Sequence, residues 1–151
     1  MKNVIKISTK ICGVLLAVLG FSAVATSCVR VEYGMPSADY FIDGNIVSEQ
    51  TKEPIRNLKV RWVENMYQNR PRPIDSTYTN ESGKFSFIGR KEFPMNEYSL
   101  DIQDVDGELN GEFNDSTINV TVNRDDYEGG SGSWYKGEYH KTFDIKLKPK
   151  N

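Results

Sequence analysis

The sequence predicts an all-β domain, an antiparallel Greek-key sandwich of seven strands, behind an N-terminal export signal. Seven short runs alternate apolar with polar residues, which is the two-residue period of half-buried strands. No segment after residue 28 shows the 3.6-residue apolar stripe of an amphipathic helix. Turn residues separate the runs, and regularly spaced short strands are typical of a sandwich.

Residues 1–27 have the composition of a secretory signal. Lys2, Lys6 and Lys10 form a basic start without any acid, and residues 11–25 carry no charge. The apolar stretch is shorter than the roughly 20 residues that a membrane-spanning helix needs. Positive charge before it holds the N-terminus in the cytoplasm, so we expect the remainder of the chain to be exported.

The end of this signal resembles that of bacterial lipoproteins, whose mature chain begins at a lipid-modified cysteine. Ala25, Thr26, Ser27 and Cys28 carry the resemblance, although a larger aliphatic residue is usual in place of Ala25. Two alternatives are an ordinary signal cut near Ala25, which leaves a free thiol, and an uncleaved short anchor. Cys12 lies within the segment to be removed, so no internal disulfide is available. A lone thiol is a liability in an oxidising compartment, which favours lipid attachment at Cys28.

The mature chain is predicted to be acidic and membrane-attached. Removal of residues 1–27 leaves 16 basic and 21 acidic residues, a net charge near −5. This charge argues against nucleic acid as a partner and against loose electrostatic binding to anionic lipid. Val29 and Arg30 follow Cys28, so no acidic inner-membrane retention signal is evident. We expect the periplasmic face of the outer membrane, with residues 28–38 as a tether and 39–151 as the sandwich domain.

The predicted strands follow one another at short intervals. They are 39–47, 58–64, 74–79, 84–89, 98–104, 116–122 and 141–148. Alternation places Tyr40, Ile42 and Ile46 on one face of the first strand. The prolines of 70–73 mark a loop or a sheet edge. The sequence of 79–85 predicts a tight hairpin in which Gly83 has a positive φ.

Part of the chain looks like the transthyretin-like fold of carboxypeptidase regulatory-like domains. The matching residues are Gly44, Thr51, Pro54, Ile55, Val60, Asn80, Gly83 and Phe85. The resemblance implies a seven-stranded Greek-key sandwich, usually without catalysis. Pro54 fixes φ and ends a strand, and we expect Ile55 to fold back under the sandwich.

The whole mature chain also resembles the radical-SAM-associated lipoproteins of Gram-negative bacteria. Three patches carry this resemblance, in the order 32–40, 101–113 and 126–138. It implies a genomic association with a radical-SAM enzyme. It implies no activity of this chain.

An acidic segment, 101–115, offers oxygen ligands of the kind that Ca²⁺ prefers. The candidate ligands are Asp104, Asp106, Glu108 and Asn110. EF-hand spacing fails, because its first and twelfth positions fall on apolar residues. We therefore expect no cofactor, and a solvated loop with turn chemistry, with calcium binding as the alternative.

A glycine-rich segment, 126–139, surrounds the aromatic pair Trp134 and Tyr135. It is either a ligand-gripping loop or a loop whose tryptophan covers one end of the sandwich. His140 is the only histidine, and we expect it to be solvated, so a zinc site or a catalytic triad has little material. Asp-Ser-Thr occurs twice, which resembles an O-glycan acceptor pattern and implicates Ser76 and Ser116.

These features predict a non-catalytic, lipid-anchored envelope lipoprotein that acts as an interaction or assembly module. Its expected contacts are the membrane, through the lipid, and an envelope protein, peptide or glycan. The alternative function is that of a substrate or accessory of a radical-SAM modification system.

Overall fold

A computed structural model describes Val14 and residues 34–66 and 70–150. The chain forms two units, Met1–Gly34 and Met35–Asn151, and the described strands all belong to the second. The predicted signal peptide and Cys28 lie outside the described residues. Within the described ranges, no helix has the length and apolar character needed to cross a membrane.

The second unit is an all-β sandwich of two four-stranded sheets, which confirms the predicted fold class. The strands are β1 (Ser37–Ser48), β2 (Lys59–Met66), β3 (Arg70–Tyr78), β4 (Lys84–Glu92), β5 (Glu97–Gln103), β6 (Ser116–Thr121), β7 (Tyr127–Ser131) and β8 (Tyr135–Leu147). Sheet 1 has the order β4-β1-β8-β7, and sheet 2 has the order β3-β2-β5-β6. Two short 3₁₀ helices, Gly107–Asn110 and Arg124–Asp126, lie in the connections.

The core lies between the sheets and consists of the side chains that alternation assigned to the inner faces. In β1, Tyr40, Ile42 and Ile46 are fully buried, as predicted. Trp62 from sheet 2 occupies the centre, where its ring centroid lies 5.7 Å from that of Tyr40 and 5.9 Å from that of Phe87. Because both of these neighbours belong to sheet 1, one aromatic side chain joins the two layers.

The strand count corrects the prediction, because the segment 126–139 is a β-hairpin rather than a loop. β7 pairs with the first part of β8, and Gly129 lies opposite Gly137. Both glycines have positive φ values, 69° and 111°. Glycine has no side chain to mark an inner or an outer face, so alternation gives no strand signal here.

Strand direction is a second correction, since β1 and β8 run parallel along most of their length. All of the other named pairings are antiparallel, so the sandwich is mixed rather than wholly antiparallel. Apolar alternation reports which face a residue occupies, but it carries no information on direction.

The chain reversal at 79–83 is tight, but the predicted hairpin is wrong. β3 and β4 belong to different sheets, so this turn carries the chain from one layer to the other. Gly83 has the expected positive φ, 70°. Its N–H donates to the Asn80 carbonyl at 2.8 Å, and its own carbonyl accepts from the Ile46 N–H at 2.8 Å.

Smaller features divide between confirmation and correction. Ile55 is 4% exposed, which confirms that it folds under the sandwich. The proline-rich segment 70–73 forms part of β3, an edge strand, as one of its two predicted alternatives required. β1 begins at Ser37, two residues before the predicted start of the first strand, because Ser37 already pairs with Glu92 and Tyr135.

Candidate functional site

The two ends of the sandwich differ, and strand pairing decides which connections lie at each. We call the end where the chain enters the second unit the entry end; it includes 34–37, 92–97, 122–126 and 132–134. The opposite end, the far end, includes 49–58, 79–83, 104–115 and 148–150. The candidate site described next lies at the entry end.

Two backbone hydrogen bonds gather exposed apolar side chains around the first residues of the entry end. The Phe93 N–H donates to the Pro36 carbonyl at 2.7 Å, and the Ser37 N–H donates to the Trp134 carbonyl at 2.7 Å. Met35, Phe93 and Trp134 are 50%, 60% and 37% exposed. Three large apolar side chains from separate parts of the sequence are therefore held near the point of chain entry.

The backbone of Phe93 is strained. Its φ is 58°, a left-handed value that a bulky residue without a local hydrogen-bonding side chain seldom adopts. The strain is not offset by burial of the ring, since most of the side chain faces solvent. Strained residues concentrate at sites of function, so this position is a candidate for a role other than stability.

A groove of about 890 Å³ crosses the entry end. Its walls come from the β4–β5 connection, the β6–β7 connection and the β7–β8 hairpin, and include Phe93, Pro94, Arg124, Tyr127, Tyr135 and Lys136. The lining combines aromatic rings with the charged side chains of Arg124, Asp125 and Lys136, so the groove presents both apolar and charged groups.

Tyr135 is held firmly on one side of this groove. Its hydroxyl donates to Asp39 Oδ2 at 2.9 Å, and Arg90 lies over its ring, with Cζ 5.4 Å from the centroid. The carboxylate acceptor raises the pKa of the Tyr135 phenol, because the hydrogen bond favours the protonated form. Trp134 has no such restraint on its side chain among the described contacts, so the predicted aromatic pair separates into an anchored ring and an exposed ring.

Buried tyrosines support the floor of the groove. The Tyr40 and Tyr127 hydroxyls are 2.6 Å apart, and the Tyr40 hydroxyl also accepts the Met95 N–H at 2.8 Å. The Tyr98 and Tyr139 hydroxyls are 3.3 Å apart. Burial is the main cause that raises the pKa of all four phenols. This network fixes the β4–β5 connection, and with it Phe93, to the core.

A salt-bridge network of three side chains lies at the side of the sandwich next to the entry end. Glu64 Oε2 accepts from Arg72 Nη2 at 2.6 Å and from Lys91 Nζ at 3.5 Å. The side chains of Glu64 and Lys91 are each only 13% exposed. Because Lys91 belongs to sheet 1 and the other two to sheet 2, the group links the layers.

The predicted acidic ligands lie at the far end and serve as acceptors within their own loop. Asp104 Oδ2 accepts the Phe113 N–H at 2.8 Å, and Asp106 accepts from the Asn110 amide. The Asn110 Oδ1 accepts from Arg56 Nε at 2.6 Å, and the side chain of Glu108 lies outside the described residues. In the described part of the chain, no three His, Cys, Asp or Glu side chains form a group that could hold a metal. The carboxylates of Asp104 and Asp106 thus hold the loop together through hydrogen bonds to other residues of the loop.

The remaining sequence-predicted residues are dispersed over the surface. His140 lies on the outer face of sheet 1, where its ring stacks on Phe41 at 4.6 Å and its Nε2 lies 3.0 Å from Glu138. Ser76 is exposed on the edge strand β3, and Ser116 is half-buried at the start of β6. The fold does not bring these residues together into one site.

Sequence reasoning missed Met35 and Phe93. Met35 falls within the predicted tether, and Phe93 follows the end of the predicted fourth strand. The Phe93-Pro94 dipeptide is the one local signal, since a residue before proline is restricted in conformation. That signal indicates where a strand ends, but it does not predict that the Phe93 ring lies beside the start of β1.

No protein-family model matches the chain, and no curated protein matches it. Among solved structures, the chain is similar to the group B streptococcus pilus 2b backbone protein, at 12% identity and a TM-score of 0.43. This match covers 72% of the chain and 40% of the pilus protein, so the chain spans well under half of that protein's length.

Two further structures match over nearly their whole length. Klebsiella pneumoniae 5-hydroxyisourate hydrolase is 15% identical with a TM-score of 0.44, over 74% of this chain and 92% of the hydrolase. The C-terminal domain of the shaft pilin SpaA from Lactobacillus rhamnosus GG is 12% identical with a TM-score of 0.44, over 74% of this chain and 98% of the domain. At such identities and TM-scores, no function transfers from these proteins to this chain.

Proposed function

We propose that this chain is a non-catalytic lipoprotein of the cell envelope, anchored through Cys28 at the periplasmic face of the outer membrane, whose sandwich is an interaction or assembly module. The observation that carries the proposal is a spacing: the folded unit begins at Met35, seven residues after Cys28. A lipid-anchored domain needs this order of signal, cysteine, short segment and folded body.

The surroundings of the chemically capable side chains support a binding role over catalysis. His140, the only histidine, is engaged by Phe41 and Glu138 on an open sheet face. The acidic side chains Asp104 and Asp106 accept hydrogen bonds within their loop. Triad-type hydrolysis needs a nucleophile beside a base that a third group orients. The contacts of His140, Asp104 and Asp106 do not form this arrangement.

The sheet edges support a protein or peptide partner. β6 is an edge strand of sheet 2 and contains no proline or lysine that would discourage the addition of another strand. β3, the other edge of that sheet, carries Pro71 and Pro73, which have no backbone N–H to donate to an added strand. Within sheet 2, β6 is therefore the edge at which we place strand addition by a partner.

Lipid attachment is tested by metabolic labelling of the full chain with radioactive palmitate in a Gram-negative host. We expect label in the wild-type protein and none in Cys28→Ser, because only the thiol can form the thioether. Cys12→Ser is the matched control, since Cys12 lies within the predicted signal; it should keep the label. Label retained in Cys28→Ser, or absent from the wild type, would overturn the proposal.

The finer assignment, to the radical-SAM-associated lipoproteins, is tested on the same purified protein. An intact mass equal to peptide plus lipid argues against any further modification. Additional mass that depends on a neighbouring radical-SAM gene supports that alternative. A glycan mass on the exposed Ser76 would instead support O-glycosylation.

A further inference from the structure

We infer that the entry end lies in the interfacial layer of the membrane, with Met35, Phe93 and Trp134 inserted among the lipid headgroups. This inference rests on the proposed lipid anchor, and it goes further by assigning the sandwich a fixed orientation. The occupant of the apolar surface is the lipid bilayer itself.

The first support is reach. Met35 is the seventh residue after Cys28, and a fully extended chain of that length spans at most about 25 Å. β1 alone has 12 residues, which corresponds to a length of about 40 Å. Because the tether is shorter than the sandwich, the entry end is the end that the anchor keeps near the bilayer.

The second support is the chemistry of the exposed side chains. Tryptophan and phenylalanine are favoured at membrane interfaces, where an apolar ring meets a hydrated layer. Apolar side chains are also exposed at the far end, where Val105 and Leu109 are 52% and 83% exposed. Because the tether is too short to bring that end to the bilayer, only the exposed apolar side chains of the entry end can meet the lipid.

The third support is the left-handed backbone of Phe93. Glycine or asparagine would adopt this φ at lower cost, yet a large apolar ring occupies the position and projects into solvent. A role at the membrane accounts for the ring. The covalent anchor holds this surface close to the bilayer, which raises the effective concentration of lipid there. Even a weak affinity of these side chains for the membrane is then enough for the inserted state to be occupied.

The test uses the lipidated full-length protein reconstituted into vesicles of phosphatidylethanolamine with a minority of phosphatidylglycerol, some carrying brominated acyl chains. The chain has two tryptophans, and Trp62 is buried, so Trp134→Phe gives the background to subtract. We expect the Trp134 emission to shift to shorter wavelength and its quenching by aqueous iodide to fall several-fold relative to detergent. Brominated lipid should quench it.

A matched control places the probe at the far end, as Leu109→Trp in the Trp134→Phe background. There, iodide should quench as strongly in vesicles as in detergent, and brominated lipid should not quench. Equal iodide quenching of Trp134 and of the Leu109→Trp probe would overturn the inference, provided that the protein floats with the vesicles. Failure to float would overturn the proposed anchor instead.

Discussion

At the scale of single residues, Tyr40 carries the most specific polar role in the core. It is fully buried, yet its hydroxyl contacts the Met95 N–H and the Tyr127 hydroxyl. Tyr40→Phe keeps the ring and leaves the buried Met95 N–H without an acceptor, which costs about 1–3 kcal/mol. We expect a loss of that size in the free energy of urea-induced unfolding.

Tyr78→Phe is the control for this prediction, because Tyr78 is 53% exposed and should change stability by no more than about 0.5 kcal/mol. Equal effects of the two substitutions would show that the buried network does not contribute to stability.

The sequence predicts which residues are inside better than it predicts what they contact. Alternation placed Tyr40 on the inner face, because side-chain direction in a strand depends only on position. The hydrogen bond from Met95 joins residues 55 positions apart, and no local pattern encodes it. The left-handed Phe93 was missed for a similar reason, since the Pro36 carbonyl that accepts its N–H lies far away in the sequence.

At the scale of elements, the turn before β4 is the connection most dependent on one residue. Gly83→Ala adds a Cβ that would collide with the Ile46 carbonyl, in a backbone conformation that itself costs alanine about 1–2 kcal/mol. We expect a clear loss of thermal stability. Calorimetry on Gly83→Ala and on Ser82→Ala, an exposed neighbour in the same turn, measures it; comparable melting temperatures would contradict the role assigned to Gly83.

A strand can be predicted from the sequence where apolar residues mark its inner face and polar residues its outer face. Where these side chains are absent, the strand is not predicted. β5 was placed within one residue, because Tyr98, Leu100 and Ile102 alternate with polar residues. β7 was missed because glycines replace the marker side chains, and the crossing of the 79–83 turn between sheets was missed because turn chemistry is the same within a sheet and between sheets. At the entry end the sequence predicts only Trp134 and Tyr135 as candidate ligand residues; Met35 and Phe93 are missed because the site assembles from separate segments of the chain.

At the scale of the whole molecule, the raised phenol pKa values predict that the protein loses stability at alkaline pH. Burial raises the pKa of Tyr40 and Tyr98 in the folded state above the ordinary value of about 10. The unfolded chain therefore releases these protons first, so their stabilising contribution is complete below pH of about 10 and declines as pH rises beyond it towards the folded-state values.

We expect the urea midpoint to hold steady up to pH of about 9 and to fall above about 10, with phenolate absorbance from the buried tyrosines appearing together with unfolding. Absorbance that develops fully while the near-ultraviolet circular dichroism stays native would contradict the burial of these side chains.

The parallel pairing of β1 with β8 also has a mechanical consequence. A pull between the start of β1 and the end of β8 acts along both strands. The load then falls on the whole row of hydrogen bonds between them at once, in shear, rather than opening them one by one as in a zipper. Such a body resists stretching along the direction of these two strands, a property that suits the proposed anchored role.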